Sequence, residues 1–124
     1  MNIIIDNSSN EALYEQISKQ IMNEILNLNI KQGEALPSIR ALAKELKVSI
    51  ITTKRAYEEL EKSGFIKTVV GKGTFVSDTN TERLREATIS EIENKLEDTI
   101  IFAKSIGLSK EELLEIFMSL YEEV

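Results

Sequence analysis

The chain has no cysteine, no histidine and no tryptophan, and only one proline and five glycines in 124 residues. Without cysteine there can be no disulfide framework, zinc-thiolate centre or thiol nucleophile. Without histidine, the commonest metal ligand and the commonest general base near neutral pH are missing too. Most hydrolase and metalloenzyme functions fall on those two absences. No paired carboxylates or nucleophile elbow stand out among the remaining side chains, so no catalytic site, metal or cofactor is expected. No segment approaches about 18 consecutive apolar residues, so no membrane-spanning helix and no membrane partner are expected. The opening Met1-Asn2-Ile3-Ile4-Ile5-Asp6 has neither a basic region nor a cleavage site, which makes a cytoplasmic address the expectation.

What is present is 42% hydrophobic and 29% charged residues, the composition of a folded domain with room for one small appendage. The net charge of −6 argues against a nucleic-acid partner until its distribution is read. Residues 1–78 carry 10 Lys+Arg and 10 Asp+Glu, whereas residues 79–124 carry 5 against 11. Between Leu36 and Ser77 stand Arg40, Lys44, Lys47, Lys54, Arg55, Lys62, Lys67 and Lys72 against only Glu45, Glu58, Glu59 and Glu61. Local charge governs phosphate contact, because salt screens charge beyond roughly 8 Å. The acidic C-terminal segment belongs away from DNA.

Ile3-Ile4-Ile5 is a short apolar run, either an edge strand or an arm laid on the body, and Asp6 to Asn10 offers candidate N-caps. Leu13, Ile17, Ile21, Ile25 and Leu28 make one stripe of an amphipathic helix ending before Gly33. After Pro37 and Ser38, the spacing of Ile39, Leu42, Ala43 and Leu46 predicts a helix of about two to three turns. Lys47-Val48 is a short connector. Ser49 caps a further helix to Ser63, with Thr53, Ala56, Tyr57 and Leu60 inward and Gly64 ending it. Two helices so closely joined form a helix-turn-helix. Phe65 to Val70, a turn at Gly71-Lys72-Gly73 and Thr74-Phe75-Val76 predict a hairpin. Asp78 to Thr81 is the best boundary. Beyond it Leu84, Ile89, Ile92, Leu96, Ile100 and Ala103 stripe a long helix stopped near Gly107. Ser109-Lys110-Glu111-Glu112 fits a capping box, and Leu113, Ile116, Phe117, Leu120 and Val124 stripe a last helix.

Helix, helix, turn, helix and hairpin in that order describe a winged helix-turn-helix. A helix suits the major groove, and its amino end attracts phosphate. The third helix opens Ser49-Ile50-Ile51-Thr52-Thr53-Lys54-Arg55, and Gly71-Lys72-Gly73 makes a narrow cationic wing. Gly71-Lys72-Gly73-Thr74 does not satisfy the phosphate-loop pattern, which needs Ser or Thr directly after the Lys.

Several stretches in order resemble the GntR family of bacterial transcription regulators across residues 11–77. They are Leu13-Tyr14-Glu15-Gln16-Ile17, Gly33-Glu34-Ala35-Leu36-Pro37-Ser38-Ile39-Arg40-Ala41-Leu42-Ala43, Val48-Ser49, Ala56-Tyr57-Glu58-Glu59-Leu60-Glu61, Gly64-Phe65-Ile66 and Gly71-Lys72-Gly73-Thr74-Phe75-Val76. The tail is too short for an effector-binding or aminotransferase-like domain and resembles the YtrA-like subfamily, whose two-helix tail serves dimerisation. Genes of that subfamily often accompany ABC-transporter genes. The resemblance implies a mainly α fold with a small β-hairpin. A winged helix-turn-helix domain with an N-terminal arm would span 1–77, a linker 78–81, and a helical dimerisation tail 82–124.

It further implies a sequence-specific repressor, a homodimer on double-stranded DNA with an inverted-repeat operator. DNA contacts are expected at Ser38, Arg40, Ser49, Ile50, Ile51, Thr52, Thr53, Lys54, Gly71, Lys72 and Gly73. Dimer contacts are expected at Leu84, Ile89, Ile92, Leu96, Ile100, Leu113, Ile116, Phe117 and Leu120. The family often has a polar or basic residue where this chain has Ile50, which offers only apolar contact, for instance to a thymine methyl. The reading also admits a small-molecule effector, for which the sequence shows no site. The rival reading is a winged-helix module that contacts proteins rather than DNA.

Overall fold

The computed structural model describes all residues, 1–124, as five helices and one two-stranded antiparallel sheet. Two compact units divide the chain, Met1–Arg85 and Glu86–Val124.

In the first unit, α1 (Leu13–Leu26) buries Ile17, Ile21 and Ile25, the spacing that the four-residue steps predict. Leu28 departs from the stripe. It sits beyond the helix end, exposed, at φ 60. Its N–H bonds to Ile25 O, and the Asn29 N–H bonds to Glu24 O, the paired bonds of a left-handed helix stop. The apolar rhythm thus ran on one step past the point where the backbone turned.

No hydroxyl or carboxylate caps α1; the N-cap is Ala12. Instead the arm lies along the helix, held by two glutamines one turn apart. Gln16 Oε1 accepts from Asp6 N–H, and Gln16 Nε2 donates to Asp6 O and Glu11 O. Gln20 brackets Ile4 the same way, accepting from its N–H at 2.9 Å and donating to its carbonyl at 2.7 Å. Ile3 and Ile5 pack against the core beneath. The arm is therefore neither strand nor loose end; side-chain amides supply the partners a neighbouring strand would give. Asp6 also accepts from Ser8 Oγ and Ser8 N–H, and those bonds hold its carboxyl below the ordinary value.

Helices α2 (Ile39–Leu46) and α3 (Ile50–Lys62) form the helix-turn-helix. The turn between them is built on Lys47 at φ 58, with Val48 N–H reaching back to Ala43 O. A lysine in this left-handed region is uncommon and costs about 1 kcal/mol relative to glycine. Ala56, Tyr57 and Leu60 of α3 are buried on the same face, and Leu42 of α2 joins them in the core. The phenol of Tyr57 donates to Pro37 O at 2.7 Å, tying α3 to the residue that precedes the cap of α2.

Burial, then the nearby Glu45 charge, pushes the Tyr57 phenol up to about 12. A raised folded value means stability that is whole below the unfolded phenol value, about 10, and is lost as pH rises toward 12. Tyr57→Phe is expected to lower stability by about 1 kcal/mol at neutral pH. The same variant should flatten the alkaline decline, and urea melts of both proteins between neutral and strongly alkaline pH check each part.

Strands β1 (Ile66–Val69) and β2 (Gly73–Val76) pair in the register Ile66↔Val76 to Val69↔Gly73. The other edge of β2 is also occupied. Gly33 N–H donates to Val76 O, Val76 N–H to Glu34 O, and Leu36 N–H to Thr74 O. The segment before α2 therefore acts as a short third strand, with a bridge at Ala35↔Phe75.

The second unit contains most of α4 (Thr81–Ser105) and all of α5 (Lys110–Glu123). The Ser109–Glu112 capping box is formed in both directions, and hydrogen bonds from the Ser109 backbone N–H, then from its side chain, hold the Glu112 carboxyl below its ordinary value. Burial in this unit is slight: Ala103 is the one buried residue in it, and α5 has none.

Leu84 corrects the expectation for the tail. It is 5% exposed and belongs to the core of the first unit, where a Cβ on Gly64 would meet its Cδ2 at 3.7 Å. The side chain is spent on intramolecular packing, so it is not free to pair with a second copy. The first unit accordingly extends to Arg85, past the segment 78–81 read as a linker, and α4 starts at Thr81 inside it.

Candidate nucleic-acid interface

The amino-terminal rim of α3 is open. Ser49 caps it, its Oγ accepting from Thr52 N–H at 3.0 Å and donating to Thr52 Oγ1 at 2.8 Å. The Ser49 hydroxyl proton is thereby used, while Thr52 keeps its own O–H to offer outward. Ile50 and Ile51 are exposed, Ile51 to 81%, and their N–H groups, the first of the helix, have no partner within it. Lys54 is exposed one turn on.

Thr53 is the exception among the expected contacts. It is 0% exposed, and its Oγ1 bonds to Ser49 O at 3.2 Å. That bond satisfies the hydroxyl inside the core, so Thr53 cannot meet DNA. The earlier placement of Thr53 on the inward face is the one the structure supports.

Helix α2 presents a similar end. Ser38 caps it by accepting from Ala41 N–H at 3.1 Å, and Arg40 stands exposed in the first turn with no carboxylate paired to it. Arg55, by contrast, is occupied: its guanidinium lies 3.9 Å from the Tyr14 ring centroid and donates to the Tyr14 hydroxyl.

First-turn carboxylates distinguish the helices. Helices α1, α4 and α5 carry Glu15, Glu82, and Glu111 with Glu112 in their first turns, where the helix dipole favours anions. Helices α2 and α3 carry none. Their amino ends keep an uncompensated partial positive charge beside Arg40 and Lys54, which suits phosphate.

The wing is fixed to this surface from both sides. Glu61 of α3 accepts from the free edge N–H of Thr68 at 3.0 Å, and Ser77 Oγ donates to Gly64 O at 2.6 Å. The turn is Val69-Val70-Gly71-Lys72, closed by Lys72 N–H to Val69 O, with Gly71 at φ 78 as a type II turn requires. Gly71 and Lys72 are exposed at the tip as expected. Gly73 is exposed too but lies in β2, opposite Val69, and Val70, read as strand, is the apex. Sequence reasoning missed Val70 because a valine after β-formers continues a strand pattern; only the position of Gly71 in a four-residue turn could have revealed it.

In the second unit, Ile89, Ile92, Leu96 and Ile100 of α4 and Ile116, Phe117 and Leu120 of α5 are exposed, and Leu113 is half-buried. A cleft of about 420 Å³ is lined by Leu96, Ile100, Ala103, Leu108, Leu113 and Phe117, among others. Phe102, Ile106, Leu114, Met118 and Tyr121 are exposed as well and extend the apolar surface beyond the predicted stripes.

Residues 13–76 match the model of the bacterial regulatory proteins, gntR family. The HTH-type transcriptional repressor YtrA of Bacillus subtilis is 37% identical over 113 residues, covering 91% of this chain and 87% of its own. A crystallised transcriptional antiterminator from Listeria monocytogenes superposes with a TM-score of 0.74 at 30% identity, over 98% of this chain and 90% of that one. The AraR DBD, crystallised in complex with an operator, gives a TM-score of 0.53 at 25% identity over 62% of this chain and 96% of its own.

Proposed function

The chain belongs to the gntR family of bacterial regulatory proteins, and from that premise we propose that it is a cytoplasmic, homodimeric repressor of an inverted-repeat operator. As a member of that family it is a DNA-binding transcription regulator. The observation that supports where it meets DNA is the pair of carboxylate-free amino ends on α2 and α3, flanked by Arg40 and Lys54 and set beside a cationic wing. Each would meet a phosphate or a base edge without first displacing an internal anion.

Dimerisation follows from the second unit's inability to cover itself. Two copies related by a two-fold would bury Ile92, Leu96, Ile100, Phe117 and Leu120 against each other. They would then offer two recognition helices about 34 Å apart, or a multiple of it. Likeness to the YtrA repressor supports repression as the sign of control. The subfamily resemblance points to an operon encoding an ABC transporter.

Selection of bound oligonucleotides from a random duplex pool tests this. The expected result is an inverted repeat whose half-sites are centred about 10 base pairs or a multiple apart. Enrichment of no sequence would remove the reading and leave the rival protein-contact module. A single unrepeated site would remove the two-fold dimer alone.

A further inference from the structure

Val70 is 96% exposed at the apex of a hairpin that is otherwise held rigidly. Nothing in the folded subunit uses its branched side chain. The turn needs glycine at the next position, and it gains nothing from valine at this one. The tip's remaining chemistry is one-sided. The Gly71 N–H is not used in the turn, and the Lys72 ammonium has no carboxylate partner, so the tip holds donors and an apolar branch but no side-chain acceptor.

We infer that Val70 is a specificity determinant of this protein, seated on the floor of the minor groove and selecting against a G·C pair there. This rests on the DNA-binding reading above. The minor groove is about 6 Å wide and admits a bare turn, and Gly71, lacking a Cβ, lets the backbone approach closely. Adenine and thymine present only acceptors on the groove floor, which the Gly71 N–H and Lys72 can meet. Guanine adds an amino donor at the centre of the floor, where the Val70 side chain occupies its space and offers it no acceptor. A buried donor left unpaired disfavours that pair. The hairpin transmits the preference because Thr68 is bonded to Glu61 of α3 and Thr74 to Leu36, so the tip cannot swing aside without breaking those bonds.

The experiment uses the full chain and the operator recovered from the random pool. Each A·T pair flanking the major-groove half-site is replaced in turn by G·C and by inosine·C, which keeps the major-groove face of guanine but lacks the amino group. At the position under the wing, G·C is expected to weaken binding about 5- to 10-fold, and inosine·C to restore it. Val70→Ser and Val70→Thr, whose hydroxyls can accept from the amino group, should bind the G·C and inosine·C duplexes equally, with unchanged melting. Equal binding of the two duplexes by the wild-type protein at every flanking position would overturn the inference and leave operator binding intact. Discrimination that persists undiminished in both variants would overturn it too. Failure to bind any operator would overturn the underlying reading as well.

Discussion

A chain ending at Arg85 is expected to sediment as a monomer and to bind the operator about 10²- to 10⁴-fold more weakly than the full chain. The cut removes Glu86–Val124, which holds the exposed apolar faces of α4 and α5. In the proposed dimer the second half-site is bound intramolecularly, at an effective concentration set by the linkage, and the shortened chain would lose that gain while each half-site keeps its contacts. Arg85 is the place to cut because Leu84 belongs to the core of the first unit. Ending the chain at Ser77 would remove Leu84 and would mix a folding defect with the loss of pairing. A cooperative melt of the shortened chain establishes that the winged helix is intact. In the full chain, Leu96→Glu places two carboxylates at one two-fold interface and should give the same monomer without shortening anything. A shortened chain that still sediments as a dimer would show that the apolar faces of the tail are not what joins the copies.

The helix-turn-helix was legible in the sequence because its determinants are local. Ser49 acts as the hydroxyl cap that its position predicts, Ser38 precedes and caps the helix expected after it, and Ala56, Tyr57 and Leu60 fall on one face of α3. Most of what stayed hidden depends on partners distant in the chain. Gln16 and Gln20 read as polar residues on a helix, yet they hold the arm ten and sixteen residues away. Gly33 to Leu36 has no strand pattern and becomes strand-like only because β2 has an edge to satisfy. Thr53 looked like a groove contact because its residue type suits DNA as well as an internal bond to the preceding turn, and its 3.6-residue phase decides for the core. Leu84 continued the tail's apolar rhythm, and only tertiary structure assigns it to the other unit. Among the expected DNA contacts, Arg40 is exposed with no ion pair, whereas Ser38 and Ser49 are exposed but already cap their helices. Arg55, which is not among them, is exposed too, but its guanidinium is taken up by the Tyr14 ring.

Arg40→Ala is expected to weaken operator binding by about 1–3 kcal/mol, roughly 5- to 150-fold, because Ile50 and Ile51 leave α3 without a guanidinium at its rim. The folded state should be unaffected, since Arg40 is exposed and makes no ion pair, and Ser38 still caps α2. Two measurements separate the two ways Arg40 can act. If it reads a base, the loss falls on one operator position, and the variant accepts other pairs there with little further penalty. If it grips phosphate at the amino end of α2, the loss is uniform across sequences, and the slope of log affinity against log salt falls by about 1 per Arg40 removed. With two copies on the operator, as proposed, the phosphate case predicts a fall of about 2 for the full dimer and about 1 for the chain ending at Arg85 on a single half-site. An affinity and salt slope both unchanged from wild type would take Arg40 off the interface. Sequence readout would then fall to Lys54, Thr52 and the wing.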